Sequence, residues 1–171
     1  MKILAAFLLL AISTTAVAGD EPAGYKLGSG DEVRVTVFNH TDLSGQFTVS
    51  GDGKIALPLV GDINAAGLTP QAVEAEIKDA LEPEYLKNAS VNVDVLNYRP
   101  FYILGEVNKP GSYPYVSGMK VVNAVALSGG YTVRASQGKI FIERGGQQKV
   151  PADPQTQVLP GDIVHVPERF F

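Results

Sequence analysis

The sequence predicts an α+β fold made of two small units, and three patterns predict it. Several short runs alternate apolar and polar residues with a period of two, the mark of strands with one buried face. Two stretches, residues 69–82 and 117–128, carry apolar residues at helical spacing instead. Eighteen Gly and eleven Pro among 171 residues supply the tight turns that such a chain of short elements needs.

The first unit opens at residues 32–38, where Val33, Val35 and Val37 alternate with Arg34 and Thr36. Residues 39–44 read as a polar loop. Residues 47–49, the turn Ser50-Gly51-Asp52-Gly53 and residues 54–57 read as a hairpin, and residues 59–63 as a short extended piece. The helix over 69–82 has Thr69 as its cap and Pro70 at the first helical position. Leu68 and Val73 are spaced for a hydrophobic staple. Val73, Ile77, Ala80 and Leu81 form the apolar stripe, with Glu74, Glu76, Lys78 and Asp79 facing water. Pro83 ends or kinks this helix, and residues 91–95 alternate again as a strand.

Residues 99–131 form the densest part of the chain. Residues 101–104 are a β-rich apolar run, Asn108-Lys109-Pro110-Gly111 is a turn, and residues 113–116 are a second strand interrupted by Pro114. Ser117 is placed to cap a short helix with Val121, Val122 and Val125 on its inner face, and Gly129 and Gly130 end it in left-handed geometry. A strand pair with one helix across it is the heart of a β-grasp unit. A hairpin over 139–150 and a closing strand over 158–166 follow. Gly30-Asp31 and Gly161-Asp162 each lead into an alternating Val strand, a weak internal echo in which Gly permits the bend and Asp satisfies turn amides.

Composition narrows the function. A net charge of −4 without a basic stripe argues against nucleic acid as a partner, because phosphate contacts dominate such binding. There is no Cys, hence no disulfide and no N-terminal lipid on a cysteine. Residues 1–18 read as a cleavable signal peptide, with Lys2, an apolar run too short to span a bilayer, and Ala16-Val17-Ala18 as the cleavage site; a buried N-terminal helix is the other reading. The histidines, His40 and His165, are isolated and lack ligand spacing, so no metal is expected. There is no nucleophile elbow and no phosphate-binding glycine loop, so no enzyme is expected.

The aromatic residues are the remaining signal. Tyr98, Phe101, Tyr102, Tyr113, Tyr115 and Tyr131 cluster in or beside the central stretch. A pyranose stacks its C–H face on such rings, and a Tyr hydroxyl can bond sugar hydroxyls; the competing reading is cross-strand pairs and core. Phe101 is read as core. Tyr113, Tyr115 and Tyr102 are candidate glycan contacts, with both readings open. Arg169, Phe170 and Phe171 place two aromatics at the end of the chain; they are candidate contacts to a neighbouring subunit or partner, and packing back onto the first unit is the other reading.

YKLGSGDEVRVTVF followed by VSGDGKIALPLVGDINAAGLTPQAVEAEI and VNVDV resembles the polysaccharide-export domain of the Wza-type outer-membrane export family. FYILGEVNKPGSYPY through ALSGGYTVRAS resembles the SLBB β-grasp repeat, and VLPGDIVHVPERFF its closing strand. After the signal peptide read over 1–18, the resemblance implies a polysaccharide-export α/β domain over 19–97 and an SLBB domain over 98–171. It implies a periplasmic homo-oligomeric ring, associated with the outer membrane, that conducts a nascent capsule or exopolysaccharide without catalysis and without a cofactor. The implied partners are the polysaccharide and an inner-membrane polysaccharide co-polymerase. Long members carry a lipidated Cys and a C-terminal membrane-crossing helix, and this sequence shows neither. A short-type protein is therefore expected, served by a separate outer-membrane component, for which a β-barrel is one candidate. A monomeric carbohydrate-binding or adaptor module is the alternative expectation.

Overall fold

The computed structural model describes residues 24–82 and 84–169. The signal-peptide reading and Phe170 and Phe171 lie outside the described residues. Two hydrophobic cores organise the chain, one built from residues 25–93 and one from residues 101–166, and Tyr98 packs against both.

In the first core, β1 (Glu32–Val37) lies between β2 (His40–Thr48) and β5 (Val91–Asn97), antiparallel to both. Its valines are fully buried and the residues between them exposed, as the period of two requires. Helix α1 (Pro70–Leu81) covers that face with Val73, Ile77 and Leu81. Thr69 caps α1, its hydroxyl accepting from the Ala72 N–H at 3.2 Å. Glu74 does not simply face water: its carboxylate accepts from the Val93 N–H at 2.9 Å and ties the helix to the edge strand β5.

Two further first-unit expectations need correction. Residues 39–44 are not a loop: Asn39, at φ 62°, makes a tight turn and β2 starts at His40. Residues 47–49 do not pair with 54–57 either. Phe47 opposes Val33 in the first sheet, while β3 (Lys54–Leu57) pairs with β4 (Gly61–Asn64). The turn at 50–53 therefore carries the chain between sheets rather than closing a hairpin. Gly53 sits there with φ 78°, and a Cβ on it would lie 2.6 Å from that of Ala66.

The second core lies between a five-stranded sheet and α2 (Val121–Leu127). The strand order is β7 (Gly111–Tyr113), β6 (Phe101–Gly105), β10 (Ile163–Val166), β8 (Ile140–Glu143), β9 (Val150–Ala152). The last strand is central, parallel to β6 and antiparallel to β8. Strand β7 stops at Tyr113, short of the expected 116, because Pro114 has no N–H to continue the ladder. Ser117 does not cap α2. The helix starts at Val121, with Lys120 at the N-cap position, where the Asn123 side chain accepts from the Lys120 N–H at 3.0 Å. The carbonyls of Thr156 and Pro154 take the next two N–H groups, so a loop satisfies the open helix start. The inner face is Val121, Ala124 and Val125, and Val122 is exposed. Gly129 and Gly130 end the helix at φ 81° and 88°.

Candidate functional site

Two features of the molecule stand out as functional surfaces: the joint between the cores and the uncovered face of the second sheet.

The joint is built from the two Gly-Asp turns. In the first, the Gly28 N–H donates to Asp31 Oδ2 at 2.7 Å and the Asp31 N–H donates back to the Gly28 carbonyl at 3.1 Å. In the second, the Leu159 N–H donates to Asp162 Oδ2 at 2.7 Å and the Asp162 N–H to the Leu159 carbonyl at 3.1 Å. Gly30 and Gly161 take φ 92° and 82° at matching positions. The echo in the sequence is thus one turn used twice, with each Asp fully buried.

Both turns close on the segment that links the cores. Arg99 donates from its backbone N–H to Asp31 Oδ1 at 2.8 Å and from Nη1 to Asp31 Oδ2 at 2.9 Å and the Tyr25 hydroxyl oxygen at 3.1 Å. The Tyr25 hydroxyl donates to Asp31. Gly161 donates to the Pro100 carbonyl at 3.0 Å, and a Cβ on Gly161 or Gly28 would lie 2.6 or 2.2 Å from the Arg99 guanidinium group. Asp162 is held by Arg144 in a two-point pair, Nε to Oδ1 and Nη2 to Oδ2, both at 2.8 Å, which pushes the Arg144 pKa up. Tyr25, Tyr98 and Tyr115 form an edge-to-face chain across the joint, with ring centroids 5.0 and 5.3 Å apart.

Burial, and then the hydrogen bond to Asp31, raise the Tyr25 phenol pKa well above its ordinary 10.0. A raised pKa means that the folded state holds this proton more tightly than the unfolded chain does. Stability from this group is therefore complete below pH 10 and declines as the pH rises beyond it. Chemical denaturation at pH 9, 10 and 11 should show that decline, and Tyr25→Phe should flatten it, with lower stability at neutral pH.

The second feature is the sheet face opposite α2. Phe101, Ile103, Ile142, Val164 and Val166 point to the helix and are fully or almost fully buried. The alternate residues Tyr102, Leu104, Phe141, Ile163 and His165 point away from it. Register places Tyr102 beside Ile163, and Leu104, His165 and Phe141 in one row. Tyr102 and Leu104 are exposed, 43 % and 41 %. His165 Nε2 lies 3.6 Å from Glu143 Oε2. A shallow hollow of about 420 Å³ spans Leu104, Phe141, Lys149, His165 and Glu168. This face mixes apolar rings with ionisable groups; Tyr102 and Leu104 reach water, while Phe141, Ile163 and His165 are half-buried.

The three candidate tyrosines have separate fates. Tyr102 presents its ring on the open face. Tyr113 is half-buried, stacked on Phe101 at 6.0 Å, and its hydroxyl donates to the Lys109 carbonyl at 2.6 Å. Tyr115 is 7 % exposed and part of the second core, so its ring has no face free to receive a sugar; Pro114 ends the strand and the next residue turns inward against Tyr98. Sequence reasoning missed Leu104 and Phe141, although alternation with buried Ile103 and Ile142 marks both. It also missed Arg99, whose only sequence signal is its position between the two units. Arg169 donates its N–H to the Arg134 carbonyl at 2.8 Å, beside an Arg134–Glu168 ion pair.

Comparison with known proteins gives this architecture its family. Residues 19–96 match the polysaccharide biosynthesis/export protein family and residues 100–158 match the SLBB domain. The chain belongs to the polysaccharide export family, with an export domain followed by an SLBB domain. It is 34 % identical over 168 residues to the exopolysaccharide production protein ExoF of Rhizobium meliloti, covering 89 % of this chain and 40 % of that one. It is 32 % identical over 182 residues to the EPS I polysaccharide export outer membrane protein EpsA of Ralstonia solanacearum, covering 85 % and 48 %. It is 29 % identical over 126 residues to the polysialic acid transport protein KpsD of Escherichia coli, covering 72 % and 23 %. The chain thus spans less than half the length of each of these relatives.

Proposed function

We propose that this protein is a non-catalytic component of a capsule or exopolysaccharide export machinery, acting in the periplasm at the outer membrane. Residues 1–18 direct export, residues 19–97 form the export domain, and residues 98–171 the SLBB domain. Several copies assemble into a ring through which the nascent polymer passes. Its partners are an inner-membrane polysaccharide co-polymerase and a separate outer-membrane component. Arg169, Phe170 and Phe171 contact a neighbouring subunit in that ring.

The observation that carries the reading is the open sheet face around Tyr102. A conduit needs weak, repeated contact with sugar, since a deep pocket would stall the chain. The exposed Tyr102 ring, on the same sheet face as the shallow hollow lined by Leu104, Phe141 and His165, offers that. Names among the relatives, exopolysaccharide production and polysaccharide export, support the cargo. The test is a deletion strain in which polymer is followed in periplasm and medium together. Synthesis should continue while polymer is lost from the medium. Normal secretion with altered chain length or retention would instead support a binding or adaptor role.

A further inference from the structure

The joint between the cores does more than hold them together. A cleft of about 360 Å³ opens there, lined by Gly24, Tyr25, Lys26, Arg99, Arg144 and the 159–161 turn. That volume suits a single small-molecule group. Three of its lining residues are cations, in a chain whose net charge is −4. The carboxylates that face them, Asp31 and Asp162, are fully buried and already satisfied, Asp31 by four donors and Asp162 by three. Three cations against two carboxylates leave one positive charge uncompensated.

The donors left over are also specific. Arg99 spends Nη1 on Asp31 and Tyr25, and its Nε and Nη2 have no hydrogen-bond partner among the described residues. Its side chain is only 28 % exposed. Gly28 and Gly161 press on the guanidinium group from the two turns, so any side chain at either position would displace it. Arg99 is thus a pre-positioned planar fork, part-buried, where charge is less screened than at an open surface. Lys26 is exposed, makes no ion pair among the described residues, and borders the same cleft.

We propose that this cleft is an oxyanion-binding site, with Arg99 and Arg144 as the fixed donors and Lys26 as the closing charge. Its ligand is a carboxylate or phosphate group, carried either by an acidic sugar of a glycan or by free phosphate. The proposal does not depend on the export reading and is tested on purified protein.

Trigalacturonate, neutral maltotriose and inorganic phosphate are titrated into the labelled full chain, and the amide resonances of Gly24, Lys26, Gly145 and Gly161 are followed. The anions should shift these amides and maltotriose should not. Binding should weaken with added salt, and Lys26→Glu should weaken it about tenfold or more. Lys26 is the residue to change because Arg99 and Arg144 each pair with a buried Asp. Binding by trigalacturonate beyond what phosphate achieves assigns the group to an acidic glycan, and the reverse order assigns it to free phosphate. Failure of both anions, an equal response to maltotriose, or binding untouched by Lys26→Glu would overturn the site.

Discussion

Replacing Asp31 by Ala should cost about 3–5 kcal/mol of folding stability, the size seen when one partner of a buried charged pair is removed. Asp31 is fully buried and accepts from Tyr25, from the Gly28 N–H, and from both the backbone and the side chain of Arg99. Ala would leave those donors without an acceptor at the joint between the two cores. At this chain size the loss should lower Tm by roughly 10 °C or more. Asp31→Asn, which keeps the shape and some of the bonds, should cost less. Thermal and urea unfolding of both variants are the measurement. A loss for Asp31→Ala below about 1 kcal/mol would mean that the joint is held by the tyrosine chain instead.

Gly105→Ala should be comparably severe, at more than about 3 kcal/mol, and should act on the second core. Gly105 ends β6 at φ 92°, a region costly for any residue with a Cβ. An added Cβ would lie 2.1 Å from the Val166 carbonyl oxygen. That oxygen accepts from the Glu106 N–H at 2.8 Å, so the obstacle is paired backbone in the central strand β10 and cannot swing aside. Gly138→Ala is the control: a Cβ there meets nothing within 4 Å, and the change should stay within about 0.5 kcal/mol. Urea unfolding followed by amide resonances should show the second core loosening before the first. Equal effects of the two substitutions would contradict the close approach of Gly105 to the β10 backbone.

Much of the fold is legible in the sequence because local rules and tertiary demands agree there. The alternating valines of β1, the Thr69-Pro70 start of α1 and the Gly129-Gly130 stop of α2 are each set by a few adjacent residues. The departures occur where distant partners decide. Phe47 pairs back to Val33 rather than forward to residues 54–57, and α2 borrows caps from the 154–156 loop, so Ser117 has no part in starting it. The same split governs the functional residues. The Gly-Asp echo is visible as a pattern, but its convergence on Arg99 is not, because no local spacing links residues 31, 99 and 161. Tyr102, Tyr113 and Tyr115 look equivalent in sequence. Strand phase exposes Tyr102, a stacked partner half-covers Tyr113, and the end of the strand at Pro114 turns Tyr115 into the core.

Passage of exported polymer over the sheet face that carries Tyr102, as proposed above for the export machinery, can be caught in cells. The direct measurement places a photo-crosslinking amino acid at position 102, or at position 127 on the outer side of α2, in cells making polymer. Leu127 is equally exposed, at 49 %, but lies on the opposite side of the domain. Polymer should be joined to the protein through position 102, dependent on ongoing synthesis, and little or none through position 127. Equal crosslinking at both positions, or none at 102 in cells that secrete normally, would contradict it.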